Sequence, residues 1–101
     1  MFEKQRLEII IEKPAFKRAC RVLEDAGVKG YTAFSAFAGY GGSNRWSRGT
    51  DISASRDMIM IVSIVDDELI PTCLDNLEKL VGAHIGVVSV SSVQVFRDDK
   101  F

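Results

Sequence analysis

The chain has little of several things that announce a function. Among its 101 residues are two cysteines, Cys20 and Cys73, too few for the disulfide framework of a small secreted domain. Both fall on apolar stripes of expected helices, where each serves as a small hydrophobe. There is a single histidine, His84. No cluster of His, Cys and acidic residues has metal-ligand spacing, so no metal is expected, and His84 reads as a turn residue beside a ligand or in solvent. Thirteen basic and fourteen acidic residues leave a formal net charge of −1, without the basic field of a nucleic-acid binder. No apolar run reaches the roughly 20 residues of a membrane span. The opening MFEKQRLEIII mixes charge into its apolar run, unlike a signal peptide. These absences favour a cytoplasmic protein with neither a nucleic-acid partner nor a transmembrane segment. Serines are plentiful, but one histidine and no nucleophile elbow give no triad, and the chain reads as a non-enzyme.

What is present is a sharp break in composition over residues 38–56, AGYGGSNRWSRGTDISASR, between two apolar segments. A loop this long without secondary structure of its own is uncommon unless functional or disordered. Gly39, Gly41 and Gly42 permit close backbone approach to a ligand, and successive amides in such turns can cradle an anion. Arg45, Arg48 and Arg56 add forked donors suited to phosphate or carboxylate. An anion-ordered loop and a merely solvated one remain equally open from this stretch alone. The pattern is neither a Walker loop nor a dinucleotide fingerprint.

Around this loop the periodicities are regular. Residues 6–12 alternate, with Leu7, Ile9 and Ile11 on one face, and predict a strand. Pro14 near a first helical position and the spacing of Phe16, Ala19, Cys20, Leu23 and Ala26 predict a helix stopped by Gly27. A second strand is expected over residues 30–37. A third over 58–65 is apolar on both faces except Ser63. Asp66 and Asp67 are N-cap candidates for a second helix, with Ile70, Cys73, Leu74 and Leu77 as its stripe and Gly82 as its end. Asp66, Asp67 and Glu68 could instead form an acid–base cluster, but a capped helix start explains them more simply. A last strand over 87–96 and a polar tail complete the chain.

The order is β-α-β-β-α-β, an α+β ferredoxin-like arrangement. Four antiparallel strands carry two helices on one face, in a single domain over residues 1–101. The doubly apolar third strand requires cover on the second sheet face as well, and symmetric self-association supplies it economically. Two other classes share this strand order. An RNA-recognition domain would show aromatics on its central strands, and an acylphosphatase-like hydrolase of phosphate esters or anhydrides would need an anion loop where this chain has Lys13-Pro14.

The segments VLEDAGVKGYTAF and VDDELIPTCLDNL, with the long loop between the second and third strands, resemble the PII signalling proteins across nearly the whole chain. The resemblance implies a homotrimer, a T-loop at about residues 39–56, and an adenine nucleotide held between subunits. Departures from ordinary PII are specific. The phosphate-cradling loop after the second helix has shrunk to Gly82-Ala83-His84-Ile85-Gly86 and holds no lysine. The T-loop lacks the glutamine that serves magnesium-ATP and 2-oxoglutarate, and the usual uridylylated tyrosine context. The C-terminal arginine pair is reduced to Arg97, with Lys100 nearby.

GGSNRWSRG is instead similar to the PII-like proteins of inorganic-carbon systems, nearest to the carboxysome-associated group of chemoautotrophic bacteria. That likeness implies ADP or AMP as ligands, ATP as a further candidate, and bicarbonate. It implies a non-catalytic regulator of carbon metabolism or transport whose T-loop docks on a protein partner. Carried over residue by residue, Gly30, Tyr31 and Thr32 match the segment that meets adenine from the neighbouring subunit, and Ile64 and Val65 the apolar wall beneath the base. Gly39 and Gly41 match the T-loop base, Ile85 and Gly86 what survives of the phosphate loop, and Arg97 the C-terminal arginine. Gly42, Ser43, Arg45, Arg48 and Arg56 are the candidates for the anion and the T-loop. An ordinary nitrogen-regulatory PII protein is the alternative within the family.

Overall fold

The first strand forms the centre of the molecule because it carries inward-facing Leu7, Ile9 and Ile11, all fully buried. A computed structural model describes residues 1–41, 44–47, 57–84 and 86–99, with the backbone alone described at 44–47. Strand β1 (Phe2–Glu12) is followed by helix α1 (Phe16–Asp25), β2 (Thr32–Ser35), β3 (Ala38–Gly41), β4 (Asn44–Ser47), β5 (Met58–Val65), helix α2 (Ile70–Ala83) and β6 (Gly86–Val95). Four of the strands make one sheet in the order β2-β5-β1-β6. All its pairings are antiparallel, so the ferredoxin-like order read from the sequence is the observed one. Register sets Leu7 opposite Ser63 on one side and Val90 on the other.

Both helices cover one face. Ala19, Cys20 and Leu23 of α1 and Cys73 and Leu77 of α2 join Leu7, Ile9, Ile11 and Ile61 in a single core. Both cysteines are free thiols, and burial raises the Cys73 thiol above its ordinary range. Each helix is entered through a short 3₁₀ turn, Lys13–Ala15 with its Pro14 and then Asp67–Leu69. Gly27 leaves α1 at φ 92, a conformation that favours glycine.

Strand β5 is apolar on both sides, as expected. Ile61, Ser63 and Val65 are buried beneath the helices, and Met60, Val62 and Ile64 lie half-buried on the opposite face. Ile10 shares that outer face, where Phe34 and Val87 are exposed.

Four expectations needed correction. The segment expected to lack secondary structure opens with a hairpin, β3 pairing with β4 so that Gly39 faces Trp46 and Gly41 faces Asn44. The second strand is four residues rather than the expected eight, because only Thr32 to Ser35 find partners on β5. Gly82 does not stop α2, which continues through Ala83 to an extended His84 at φ −140 and ψ 165. Asp66 precedes the 3₁₀ turn but makes no side-chain cap; its carboxylate accepts instead from Lys4, since an ammonium is a stronger partner than a neutral amide.

Candidate functional site

One end of the sheet gathers the start of β1, the approach to β2, the end of β5 and the end of β6. Here Ser63 Oγ, buried in β5, donates to the Gly30 carbonyl at 2.6 Å. That bond fastens the segment before β2 to its neighbour, although residues 30 and 31 lie outside the strand itself. The Tyr31 hydroxyl donates to the Glu24 carboxylate of α1. This contact first, and Cys20 second, hold the phenol well above its ordinary pKa, so Tyr31 is a neutral group there. Thr32 stands opposite Val62. Ile64 is half-buried opposite Arg6, and Val65 is buried opposite Gln5.

Lys4 is the anchor of this end. Its side chain is only 8% exposed, and its ammonium pairs with both Asp66 and Asp98. Asp66 first and Asp98 second raise the Lys4 pKa above its ordinary value. Arg97, beside Asp98, is exposed and forks onto Asp99, with Nε donating to Oδ1 at 3.0 Å and Nη2 to Oδ2 at 3.1 Å. The guanidinium holds the Asp99 carboxyl below its usual range.

The other end holds Gly86, opposite Ile11. A Cβ on Gly86 would stand 2.9 Å from the Ile10 carbonyl oxygen and 3.2 Å from Ile11 Cγ1, so the close approach of β6 to β1 itself requires glycine. His84 Nδ1 lies 2.8 Å from Glu12 Oε1, both side chains mostly buried, which corrects the reading of His84 as a turn residue in solvent. The Lys13 amide donates to the Asp57 carbonyl at 2.8 Å and the Ala36 amide to the Met58 carbonyl at 2.8 Å. These bonds pin both ends of the segment that carries Gly39 and Gly41. A groove of about 550 Å³ runs between α2 and β6, lined by Leu74, Leu77, Val81, Gly82, Gly86 and Val88 among others. Gly42, Ser43, Arg48, Arg56, Ile85 and Lys100 lie outside the described residues, and of Arg45 only the backbone within β4 is described.

The candidates therefore fall into two groups. Gly30, Tyr31, Thr32, Ile64, Val65 and Arg97 share one end, and Gly39, Gly41 and Gly86 the other. From the Gln5 rung to the Ile11 rung of β1 is six residues, about 20 Å at strand rise. A single chain does not close both groups around one nucleotide-sized ligand. Lys4, Ser63, Asp98, Glu12 and Glu24, which with Asp66 hold these segments in place, escaped the sequence reading as site residues, and Asp66 entered it only as a cap or an acid–base group. Most of their partners lie far away in sequence, 72 residues for Glu12 and His84 and further still for Lys4 and Asp98. Only the polar Ser63 in an apolar strand gave a visible signal. Among the described residues, no group of three or more His, Cys, Asp or Glu could hold a metal ion, and no helix is long and apolar enough to cross a membrane.

The family model described as nitrogen regulatory protein P-II matches residues 4–100. The chain is 34% identical to CPII, a nitrogen regulatory PII-like protein from Thiomonas intermedia K12 whose structure is bound to ADP, AMP and bicarbonate. The match covers 99% of this chain and 94% of that one, with a TM-score of 0.88. The apo form of CPII matches at 31% identity, covering 96% of each chain, with a TM-score of 0.76. A UPF0166 protein of Aquifex aeolicus (strain VF5) is 28% identical over 83 residues, 82% of this chain and 77% of the relative.

Proposed function

The chain belongs to the nitrogen regulatory protein P-II family, and on that premise we propose that it is a non-catalytic, cytoplasmic sensor, one domain over residues 1–101, that binds ADP or AMP together with bicarbonate. The observation that carries this reading is the division of the candidate residues between opposite ends of one sheet. A nucleotide site is completed when the Gly30–Arg97 end of one copy meets the Gly39–Gly86 end of the next. Contact between unlike ends is heterologous, and it stays finite only by closing into a ring; the proposed ring is a homotrimer. The apolar outer face of Ile10, Met60, Val62 and Ile64 supports such an assembly, because it would otherwise remain uncovered.

The nucleotide's base meets Gly30, Tyr31, Thr32 and the Ile64–Val65 wall, and its phosphates meet Arg97 and the amides near Ile85 and Gly86. Helix α2 ends at Ala83 and β6 begins at Gly86, so only His84 and Ile85 connect them. A connection this short, without lysine, favours a nucleotide with few phosphates. It also favours the carbon-linked reading over a nitrogen-type PII protein that wraps ATP. Bicarbonate joins at the loop that carries Gly42, Ser43, Arg45, Arg48 and Arg56. Its occupancy reorganises that loop for a protein partner of inorganic-carbon metabolism or transport, by no more than its differential affinity for the two loop states.

The test is calorimetric titration with AMP, ADP and ATP, each with and without bicarbonate, on protein sized by light scattering. A trimer that binds ADP or AMP, more tightly with bicarbonate, is expected. A trimer that takes ATP with 2-oxoglutarate and ignores bicarbonate would move the protein to nitrogen sensing. Arg97→Ala should weaken ADP binding by about 1.5–3 kcal/mol, the worth of a charge-assisted hydrogen bond; unchanged affinity would remove Arg97 from the site.

A further inference from the structure

We propose that Lys4 is a positioning residue for nucleotide binding: by joining Asp66 at the end of β5 to Asp98 beyond β6, it fixes Arg97 where a phosphate would meet it. The inference rests on the nucleotide reading above. Lys4 is a charge in an unusual place, since lysine is rarely buried unless paired. The Lys4 side chain is 8% exposed, while Asp66 and Asp98 are 32% and 56% exposed. Two carboxylates thus converge on one ammonium from segments more than 30 residues apart in sequence. Without that ammonium they would repel one another, and among the described residues Asp98 makes no other ion pair.

Phe96 and Arg97 are the two residues between the end of β6 at Val95 and the tether at Asp98. The Arg97 backbone is held on one side by the β6 ladder, which pairs Val95 with Phe2, and on the other by Asp98 bound to Lys4. Its guanidinium is then aimed by the fork to Asp99. Residues 97–99 are therefore a tethered clamp rather than a loose tail. An arginine aimed beforehand loses less freedom when it binds an anion, which raises affinity without a new contact. Lys4 itself need not touch the ligand.

The experiment compares ADP and adenosine binding by calorimetry for the full-length protein and for Lys4→Met, Asp98→Asn, Arg97→Ala and Lys4→Met/Arg97→Ala. Lys17→Met serves as a control for the lost charge, because Lys17 is exposed on α1. Lys4→Met is expected to weaken ADP about tenfold, equivalent to about 1.4 kcal/mol, and to leave adenosine unchanged. Asp98→Asn, which keeps the Lys4–Asp66 pair, should act in the same direction. The double variant should bind ADP no more weakly than Arg97→Ala, because Lys4 acts through Arg97.

Wild-type affinity in both Lys4→Met and Asp98→Asn, an equal loss for ADP and adenosine, or full additivity with Arg97→Ala would overturn the proposal while leaving the nucleotide reading intact. A wild-type protein that binds no adenine nucleotide would overturn both. Should Lys4→Met fail to fold, the Asp98→Asn and Asp98→Asn/Arg97→Ala pair decides the same question by the same criteria.

Discussion

The two ends of the sheet are built on different physics. At the Lys4 end, segments distant in sequence are held by side chains: an ammonium between two carboxylates, a phenol on a carboxylate, a serine hydroxyl on a carbonyl. At the Gly86 end the main chain itself closes in, with β6 so near β1 that a methyl group has no room. Backbone bonds fix the exit of the long segment at Asp57 and Met58. The first end can be retuned by changing one charge. The second also carries one side-chain pair, His84 on Glu12, but the approach of Gly86 to β1 can be changed only by moving a strand. A ligand bridging the two, as proposed, would meet adjustable donors on one copy and rigid backbone on the next.

The two ends share the middle of β1, which serves both. Ile9 is fully buried between Ile61 and Val88 on the flanking strands. Ile9→Ala should cost about 2–5 kcal/mol, the range for such core truncations, and loosen both ends together. Chemical denaturation measures the loss, and amide exchange at the two ends should rise in parallel. Protection lost at one end alone would mean that the strand does not couple them.

Gly86→Ala should separate the ends. The new methyl meets the Ile10 carbonyl at 2.9 Å, a backbone atom that cannot turn aside, so an overpacking cost of about 1–3 kcal/mol is expected. Exchange should increase around residues 10–12 and 86–88 while residues 30–32 and 63–66 keep wild-type protection. Full stability in this variant would show that β6 can shift outward at no cost.

The same contrast explains what could be read in advance. The order of strands and helices was legible because it rests on local periodicity: Leu7, Ile9 and Ile11 at every second place, Ala19, Cys20 and Leu23 at helical spacing. Gly27 was legible because its conformation is a local need. Gly82 misled because glycine also sits in a helix when the chain beyond it finds a partner, here His84 on Glu12. The β3–β4 hairpin had a signal, Gly-Ser between two short runs, hidden by the weight of glycine and serine around it. Candidates were placed by family likeness, and their division between two ends follows from register, which no single segment encodes. Asp66 looked like a cap because its true partner, Lys4, is 62 residues away.

Ser63→Ala sharpens the view of the Lys4 end at a smaller scale. Ser63 is buried, and its hydroxyl is bonded to the Gly30 carbonyl. Gly30 is exposed, so water can replace the lost donor, and the cost should be modest, about 0.5–1.5 kcal/mol. Denaturation gives that number. Adenosine titration gives the more telling one, because the freed segment 30–32 is the proposed contact to the base. Weaker adenosine binding with intact Arg97-dependent discrimination of ADP would separate base from phosphate recognition within one end.

The smallest effect at neutral pH is the most diagnostic of charge. The Lys4 pKa is raised above 10.5, chiefly by Asp66 and then by Asp98. A group whose pKa is raised on folding gives its full stabilisation below its unfolded pKa and loses it as pH rises through the folded value. The stability difference between wild type and Lys4→Met should therefore be flat from about pH 6 to pH 9 and shrink above about pH 10.5, where lysine begins to deprotonate. Tyr31 titrates in the same alkaline window and in the same direction, but it is present in both proteins and cancels in the difference. A gap that stays constant across the whole range would assign the effect to the packing of the lysine stem. A gap that closes at alkaline pH ties it to the ammonium held between two carboxylates.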